Sequence, residues 1–115
     1  MSSSKTAAFS ETQEDLVFKA LAAPVRRAIL DALKDNPQTT TELCARFPQI
    51  DRTTVMQHLK VLEAADLVIV HKVGRVRWNH LNALPIKAIH DRWIGPHAAG
   101  AVDKLAKLKS GLERG

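Results

Sequence analysis

The sequence has no long apolar run and only one cysteine. No stretch approaches the roughly 18 consecutive apolar residues of a membrane span, and residues 1–10 contain no apolar signal core. Cys44 is the one cysteine among 115 residues, so an intramolecular disulfide is excluded and nothing indicates an oxidising compartment. These absences predict a cytoplasmic protein with no membrane partner.

Motifs of the common enzyme classes are also missing. The chain has no glycine-rich phosphate loop, no nucleophile elbow and no HExxH pair, and its carboxylates are scattered along the sequence. We therefore predict that the protein is not an enzyme and uses no cofactor.

The charge is unbalanced in favour of cations. There are 17 Lys plus Arg against 12 Asp plus Glu, a formal net charge of +5, which favours an anionic partner such as DNA, RNA or an acidic membrane surface. The length suits one compact domain, and an apolar fraction of 45% suits a globular one. We predict a disordered tail over residues 1–10, rich in small polar residues, and one domain over residues 11–115.

Apolar spacing predicts several short helices in the first half of the chain. The first helix spans about residues 13–22. A second opens at Pro24 and runs to about residue 34, with Val25, Ile29 and Leu33 on one stripe. A short third helix follows residues 39–42, where Thr39 and Glu42 have the spacing of a capping box.

The fourth predicted helix has two contrasting faces. Asp51 can cap it, and Val55, Leu59 and Leu62 fall within a narrow arc. The opposite arc has no acidic residue and presents short or planar hydrogen-bonding groups. Its members are Thr53, Gln57 and Lys60, flanked by Arg52. From the sequence of this helix alone, an ordinary solvent-exposed face and a DNA-contacting face are about equally well supported.

A β-hairpin follows, built from residues 67–72 and 76–81 with Gly74 at the turn. Arg75 and Arg77 beside that turn could protect an exposed strand edge from pairing. In a basic protein they favour contact with phosphate or a minor groove, more strongly for Arg75 at the tip.

Two further helices complete the predicted order, one from Pro85 to about Ile94 and, after Gly95-Pro96, a last one. The last helix has a narrow apolar stripe that could pack on its own core or on a partner helix, and its leucine spacing favours a partner. Including one residue of the first helix, the predicted dimer interface consists of Leu16, Ala101, Val102, Leu105, Leu108 and Leu112.

Two sequence blocks resemble the ArsR family of bacterial winged helix-turn-helix repressors. They are residues 20–30, Ala-Leu-Ala-Ala-Pro-Val-Arg-Arg-Ala-Ile-Leu, and residues 54–62, Thr-Val-Met-Gln-His-Leu-Lys-Val-Leu. The resemblance covers about residues 13–112. It implies a mostly helical winged helix-turn-helix fold with a small β-hairpin, dimerising through terminal helices. The third and fourth helices would form the helix-turn-helix and the hairpin would form the wing.

The resemblance also implies a function. We predict a dimeric repressor that binds a palindromic operator in double-stranded DNA. The residues predicted to contact DNA are Arg52, Thr53, Thr54, Gln57, Lys60, Arg75 and Arg77. His58, at the flank of the apolar arc, is interpreted first as a structural residue. The sequence specifies no inducer.

Metal sensing, which is common in this family, lacks its ligands here. Cys44 is followed by Ala45-Arg46 where a Cys-x-Cys pair is needed, and Gly95-Pro96 separates His90 from His97. The wing sequence Gly74-Arg75-Val76-Arg77-Trp78 and the later Asp91-Arg92-Trp93 resemble a subgroup of the family without a recognised metal site. Two alternatives stay open: a winged-helix module that binds a protein and has no DNA activity, and a metal- or thiol-responsive derepressor using Cys44.

Overall fold

The computed structural model describes residues 11–95 and 98–114, which form helices and one small sheet. The predicted tail over residues 1–10 lies outside this range. In chain order the elements are α1 Gln13–Leu21, α2 Pro24–Leu33, β1 Gln38–Thr39, α3 Thr40–Arg46, α4 Arg52–Ala64, β2 Val68–Val73, β3 Val76–Leu81, α5 Leu84–Trp93 and α6 Ala99–Arg114. The predicted fold class, helical with a small β wing, is confirmed.

The chain divides after Pro85 into two compact units. The first contains α1 to α4 and the sheet, and the second contains most of α5 and all of α6.

Capping residues set where the helices of the first unit begin. Asp51 caps α4 as predicted, accepting the Thr54 backbone N–H at 2.8 Å. Thr39 caps α3, because its side chain accepts the Glu42 backbone N–H at 3.1 Å. This is one of the two hydrogen bonds of the predicted capping box. A complete box that the sequence analysis missed starts α1, where Thr12 and Asp15 satisfy each other's backbone N–H groups.

The core of the first unit is formed by one side of each helix together with the inner face of the sheet. The predicted arc of α4 is confirmed, because Val55, Leu59 and Leu62 are all buried. On α2 the buried residues are Ile29, Leu30 and Leu33, while the predicted Val25 is only half-buried. With this arc of α4 fixed against the core, its opposite face must point to solvent.

The sheet has three antiparallel strands in the order β1-β3-β2. The predicted hairpin is confirmed, and its register pairs Val73 with Val76 across a two-residue turn. Gly74 is the first central residue and has φ 63°, a backbone conformation that glycine adopts without steric cost. The short strand β1, which pairs Gln38 with Asn79 and Thr39 with Trp78, was not predicted.

The end of α4 is a Schellman motif with an aspartate at its left-handed position. Asp66 has φ 61°, its N–H donates to Glu63 O at 2.9 Å, and the Leu67 N–H donates to Leu62 O at 2.9 Å. Asn82 adds a bond from its side-chain amide to the Asp66 carbonyl at 2.8 Å. This motif fixes the angle at which the chain leaves α4 for the wing.

Asp66→Gly is expected to stabilise the protein by about 0.5–1 kcal/mol, because glycine removes the steric cost of a positive φ. Urea unfolding measures the change in the free energy of unfolding. Ala64→Gly, at the exposed last residue of the same helix, is the control and should cost up to about 1 kcal/mol. An Asp66→Gly variant as unstable as the control would contradict the assignment of strain to this residue.

Candidate nucleic-acid interface

The exposed face of α4 carries the polar residues predicted from the sequence. Thr53, Gln57 and Lys60 are exposed at intervals of four and three residues, opposite the buried Val55 and Leu59. Thr54 is half-buried and its N–H is engaged by the Asp51 cap. The hydrogen bonds from Thr54 hold the pKa of Asp51 below its ordinary 3.8, so the cap is an anion at neutral pH.

The three arginines predicted to contact DNA line one cleft, although they come from different parts of the chain. Arg52 is the first residue of α4, Arg75 is in the wing turn and Arg77 is on β3. The remaining lining comes from the start of α3 and from the wing. This surface, called here the basic cleft, is lined by Thr39, Thr40, Thr41, Arg52, Arg75, Val76 and Arg77.

The lining of the basic cleft has hydroxyl groups and guanidinium groups and no carboxylate. Such a surface suits phosphate oxygens, which accept hydrogen bonds from both kinds of group. Sequence reasoning missed the contribution of Thr39 and Thr41. Their proximity to the wing depends on β1, whose pairing with β3 leaves no local pattern in the sequence.

Arg77 has an intramolecular partner as well as a place in the basic cleft. Its Nη2 lies 3.5 Å from Oε2 of Glu63, in the last turn of α4. A separate small cavity of about 70 Å³ is lined by Arg77 and Glu63 together with Thr40, Met56, Leu59 and Lys60. The ion pair therefore joins the wing to the helix that carries Gln57.

Buried polar contacts hold α3 against the wing. Asn79 on β3 is fully buried, and its side-chain amide donates to Gln38 O at 3.2 Å and to Thr40 Oγ1 at 3.1 Å. Arg46 donates from Nε to Gln38 Oε1 at 2.7 Å. These bonds position the threonines of the basic cleft relative to the arginines of the wing.

His58 contacts the helical scaffold. Its Nδ1 lies 3.2 Å from Arg26 Nη1, and Arg26 also donates to the carbonyls of Lys19 and Ala20 at the end of α1. A guanidinium can only donate, so Nδ1 must be the unprotonated, accepting nitrogen. Burial, and secondarily the Arg26 charge, lower the pKa of His58 below its ordinary 6.5.

We expect His58 to make the protein less stable in acid. Because its pKa is lower in the folded than in the unfolded chain, the unfolded chain binds more protons, and stability falls as the pH drops through 6.5. Urea midpoints at pH 7.5 and 5.5 should differ less in His58→Gln than in the wild type. The matched control is His71→Gln, at an exposed position on β2, which should keep the wild-type difference. A His58→Gln variant whose urea midpoints at the two pH values differ as much as those of the wild type would contradict this explanation.

The second unit carries the predicted dimerisation stripe on α6. None of the described α6 residues is buried. The residues on this stripe are largely exposed, by 44% for Val102, 62% for Leu105, 57% for Leu108 and 72% for Leu112. Leucines this exposed and this regularly spaced mark a surface suited to a partner. Leu16 on α1 is half-buried.

Residues able to ligate metals are dispersed in the parts of the chain that the structure describes. No three His, Cys, Asp or Glu side chains come together there as a group that could hold an ion. His97 lies outside the described residues, and Cys44 is a half-buried free thiol. No helix within residues 11–95 and 98–114 combines the length and apolar character that crossing a bilayer requires.

Comparison with known proteins agrees with this geometry. The helix-turn-helix domain family matches residues 21–71. The chain is 35% identical to the transcriptional repressor SdpR of Bacillus subtilis over 66 residues, covering 57% of this chain and 72% of that protein. It is 38% identical to the HTH-type transcriptional regulator YuzN of the same organism over 87 residues, covering 70% and 95%.

A solved structure extends the likeness over nearly the whole chain. The crystal structure of an ArsR family transcriptional regulator superposes with a TM-score of 0.65 at 30% sequence identity. The alignment covers 89% of this chain and 98% of the other.

Proposed function

This chain belongs to the ArsR family of winged helix-turn-helix transcriptional regulators, and we propose that it is a homodimeric repressor of a palindromic operator. The observation that carries the proposal is the basic cleft beside the exposed face of α4. Together they offer a base-reading surface and a phosphate-binding surface in one unit of the chain.

In this proposal α4 enters the major groove and reads base edges. Gln57 is exposed near the middle of its polar face, and a planar amide can pair with two atoms of an adenine edge. Thr53 and Lys60 lie on either side of it and reach neighbouring bases or phosphates. We assign Thr54, at the capped start of the helix, a contact with the DNA backbone.

The arginines supply binding that depends less on sequence. Arg52 and Arg75 line the basic cleft from two sides, where a DNA phosphate would meet guanidinium and hydroxyl donors. Arg77 lines the same cleft but is paired with Glu63. Contacts of this kind set the register of the protein on the duplex, while Gln57 provides discrimination.

Dimerisation through α6 would duplicate the reading surface. A two-fold dimer places two recognition helices about one turn of DNA, roughly 34 Å, apart, and so fits an operator with two symmetric half-sites. The exposed leucines of α6 support this role, and Leu16 and Ala101 are proposed to take part in the same dimer interface. Occupation of the operator would block polymerase. We place this regulatory, non-catalytic activity in the cytoplasm, where bacterial DNA is found.

A gel shift with genomic fragments, in excess random competitor DNA, tests the proposal. A few fragments should be retained, and they should share a two-fold symmetric sequence. Retention of every fragment in proportion to its length would show binding by charge alone and contradict a specific repressor. Retention of none, at low salt, would contradict DNA binding.

A further inference from the structure

Glu63 is an unusual residue for a DNA-reading helix. It is the one acidic residue within the sequence of α4, Arg52–Ala64. It lies in the last turn, where the helix dipole disfavours a negative charge. Its side chain is 45% exposed, so burial in the core does not account for its presence. The charge of Glu63 is unfavourable for the helix itself, so its role must lie in its contacts with other residues.

Glu63 is paired with one of the cations proposed to bind DNA. The carboxylate of Glu63 lies 3.5 Å from Arg77 Nη2, and Lys60 shares the small cavity that these two residues line. Arg77 also lines the basic cleft, whose other lining residues carry no acid. Arg77 is therefore within reach of two competing anions, the Glu63 carboxylate and a phosphate placed in the cleft.

We infer that Glu63 is a specificity-determining residue, which keeps Arg77 from binding phosphate until α4 is fully seated on the operator. This inference rests on the proposed function. On random DNA the duplex is held loosely and Arg77 stays paired with Glu63. On the operator, base contacts by Gln57 bring a phosphate into the basic cleft, and Arg77 exchanges the carboxylate for the phosphate.

The energies of the two contacts permit such an exchange. An exposed ion pair is weak and is screened by salt, so a phosphate held in place by other contacts can displace the carboxylate. Removing the Glu63 charge should therefore strengthen binding to random DNA by about two- to five-fold, the range of an exposed ion pair. Operator binding should change less, so that discrimination between the two sequences falls.

The experiment measures affinity by fluorescence anisotropy over a salt series, on operator and scrambled duplexes. Glu63→Gln keeps the shape of the side chain and removes its charge. Asp31→Asn, at an exposed position on α2, gives the same change of net charge at a residue that is not paired with Arg77 and is the matched control. Arg77→Ala is measured alone and combined with Glu63→Gln. Thermal unfolding verifies that each variant is folded.

The expected result concerns the slope of log affinity against log salt on the scrambled duplex. Arg77→Ala should leave this slope unchanged in the wild-type background and lower it by about one unit in the Glu63→Gln background. On the operator it should lower the slope in both backgrounds. An equal change in slope on removing Arg77 in both backgrounds on scrambled DNA, or equal effects of Glu63→Gln and Asp31→Asn, would overturn the inference. A wild-type protein that does not distinguish operator from scrambled duplex contradicts the proposed function itself.

Discussion

Leu105→Glu is expected to convert the protein into a monomer and to weaken operator binding by about 10²- to 10⁴-fold, the advantage that two linked half-site contacts provide. Leu105 is 62% exposed, on the same face of α6 as Leu108 and Leu112. A carboxylate at the centre of a dimer interface would be desolvated without a partner. Sedimentation gives the oligomeric state, and anisotropy gives the affinity.

Ser110→Glu is the control for this prediction. Ser110 is exposed on the same helix, about half a turn away from the leucine face, and its replacement introduces the same charge. This variant should remain dimeric and bind the operator like the wild type. A dimeric Leu105→Glu variant with unchanged affinity would show that α6 is not the interface.

Gln57→Ala should lower operator affinity by about 1–3 kcal/mol and change binding to scrambled DNA little, because an amide pairs with one pattern of base-edge atoms. Arg75→Ala is the matched comparison. A guanidinium at the wing tip interacts with the negative potential of any sequence, so both affinities should fall and the salt slope should drop by about one unit. Anisotropy on both duplexes over a salt series measures these quantities.

The opposite outcome would change the assignment of the reading surface. If Gln57→Ala keeps the operator preference while Arg75→Ala abolishes it, the wing reads the sequence and α4 does not. Lys60→Ala gives a further test of what this helix contacts. Its affinities for the two duplexes should change as in Arg75→Ala if Lys60 contacts a phosphate, and as in Gln57→Ala if Lys60 contacts a guanine.

Local patterns explain which parts of the fold were predicted. The buried arc of Val55, Leu59 and Leu62 repeats at helical spacing within a single helix, and Asp51 is adjacent to the helix that it caps. Gly74 marks a turn whose two strands are neighbours in sequence. Each of these features depends on residues a few positions apart, so periodicity and capping chemistry suffice to find them.

Features that join distant residues were missed. Strand β1 has two residues, too few for an alternating pattern, and it exists because Gln38 and Thr39 meet Asn79 and Trp78 some 40 positions later. The ion pair of Arg77 with Glu63 likewise links two elements whose approach follows from the tertiary fold.

One missed feature was visible in the sequence. Thr12 and Asp15 have the spacing of a capping box and were overlooked. The left-handed Asp66 gave no such signal, because glycine is the usual residue at that position. Of the candidate site, the exposure of Gln57 and Lys60 followed from helical periodicity. The basic cleft did not, since its lining comes from α3, α4 and the wing.

The central claim is that two copies of this chain read two symmetric half-sites through α4. Hydroxyl-radical footprinting of the protein on a retained genomic fragment tests it most directly. The expected footprint is two equivalent protected segments, related by two-fold symmetry and centred about 10–10.5 base pairs, or a multiple of that spacing, apart. A single protected segment, or uniform weak protection along the fragment, would contradict the claim.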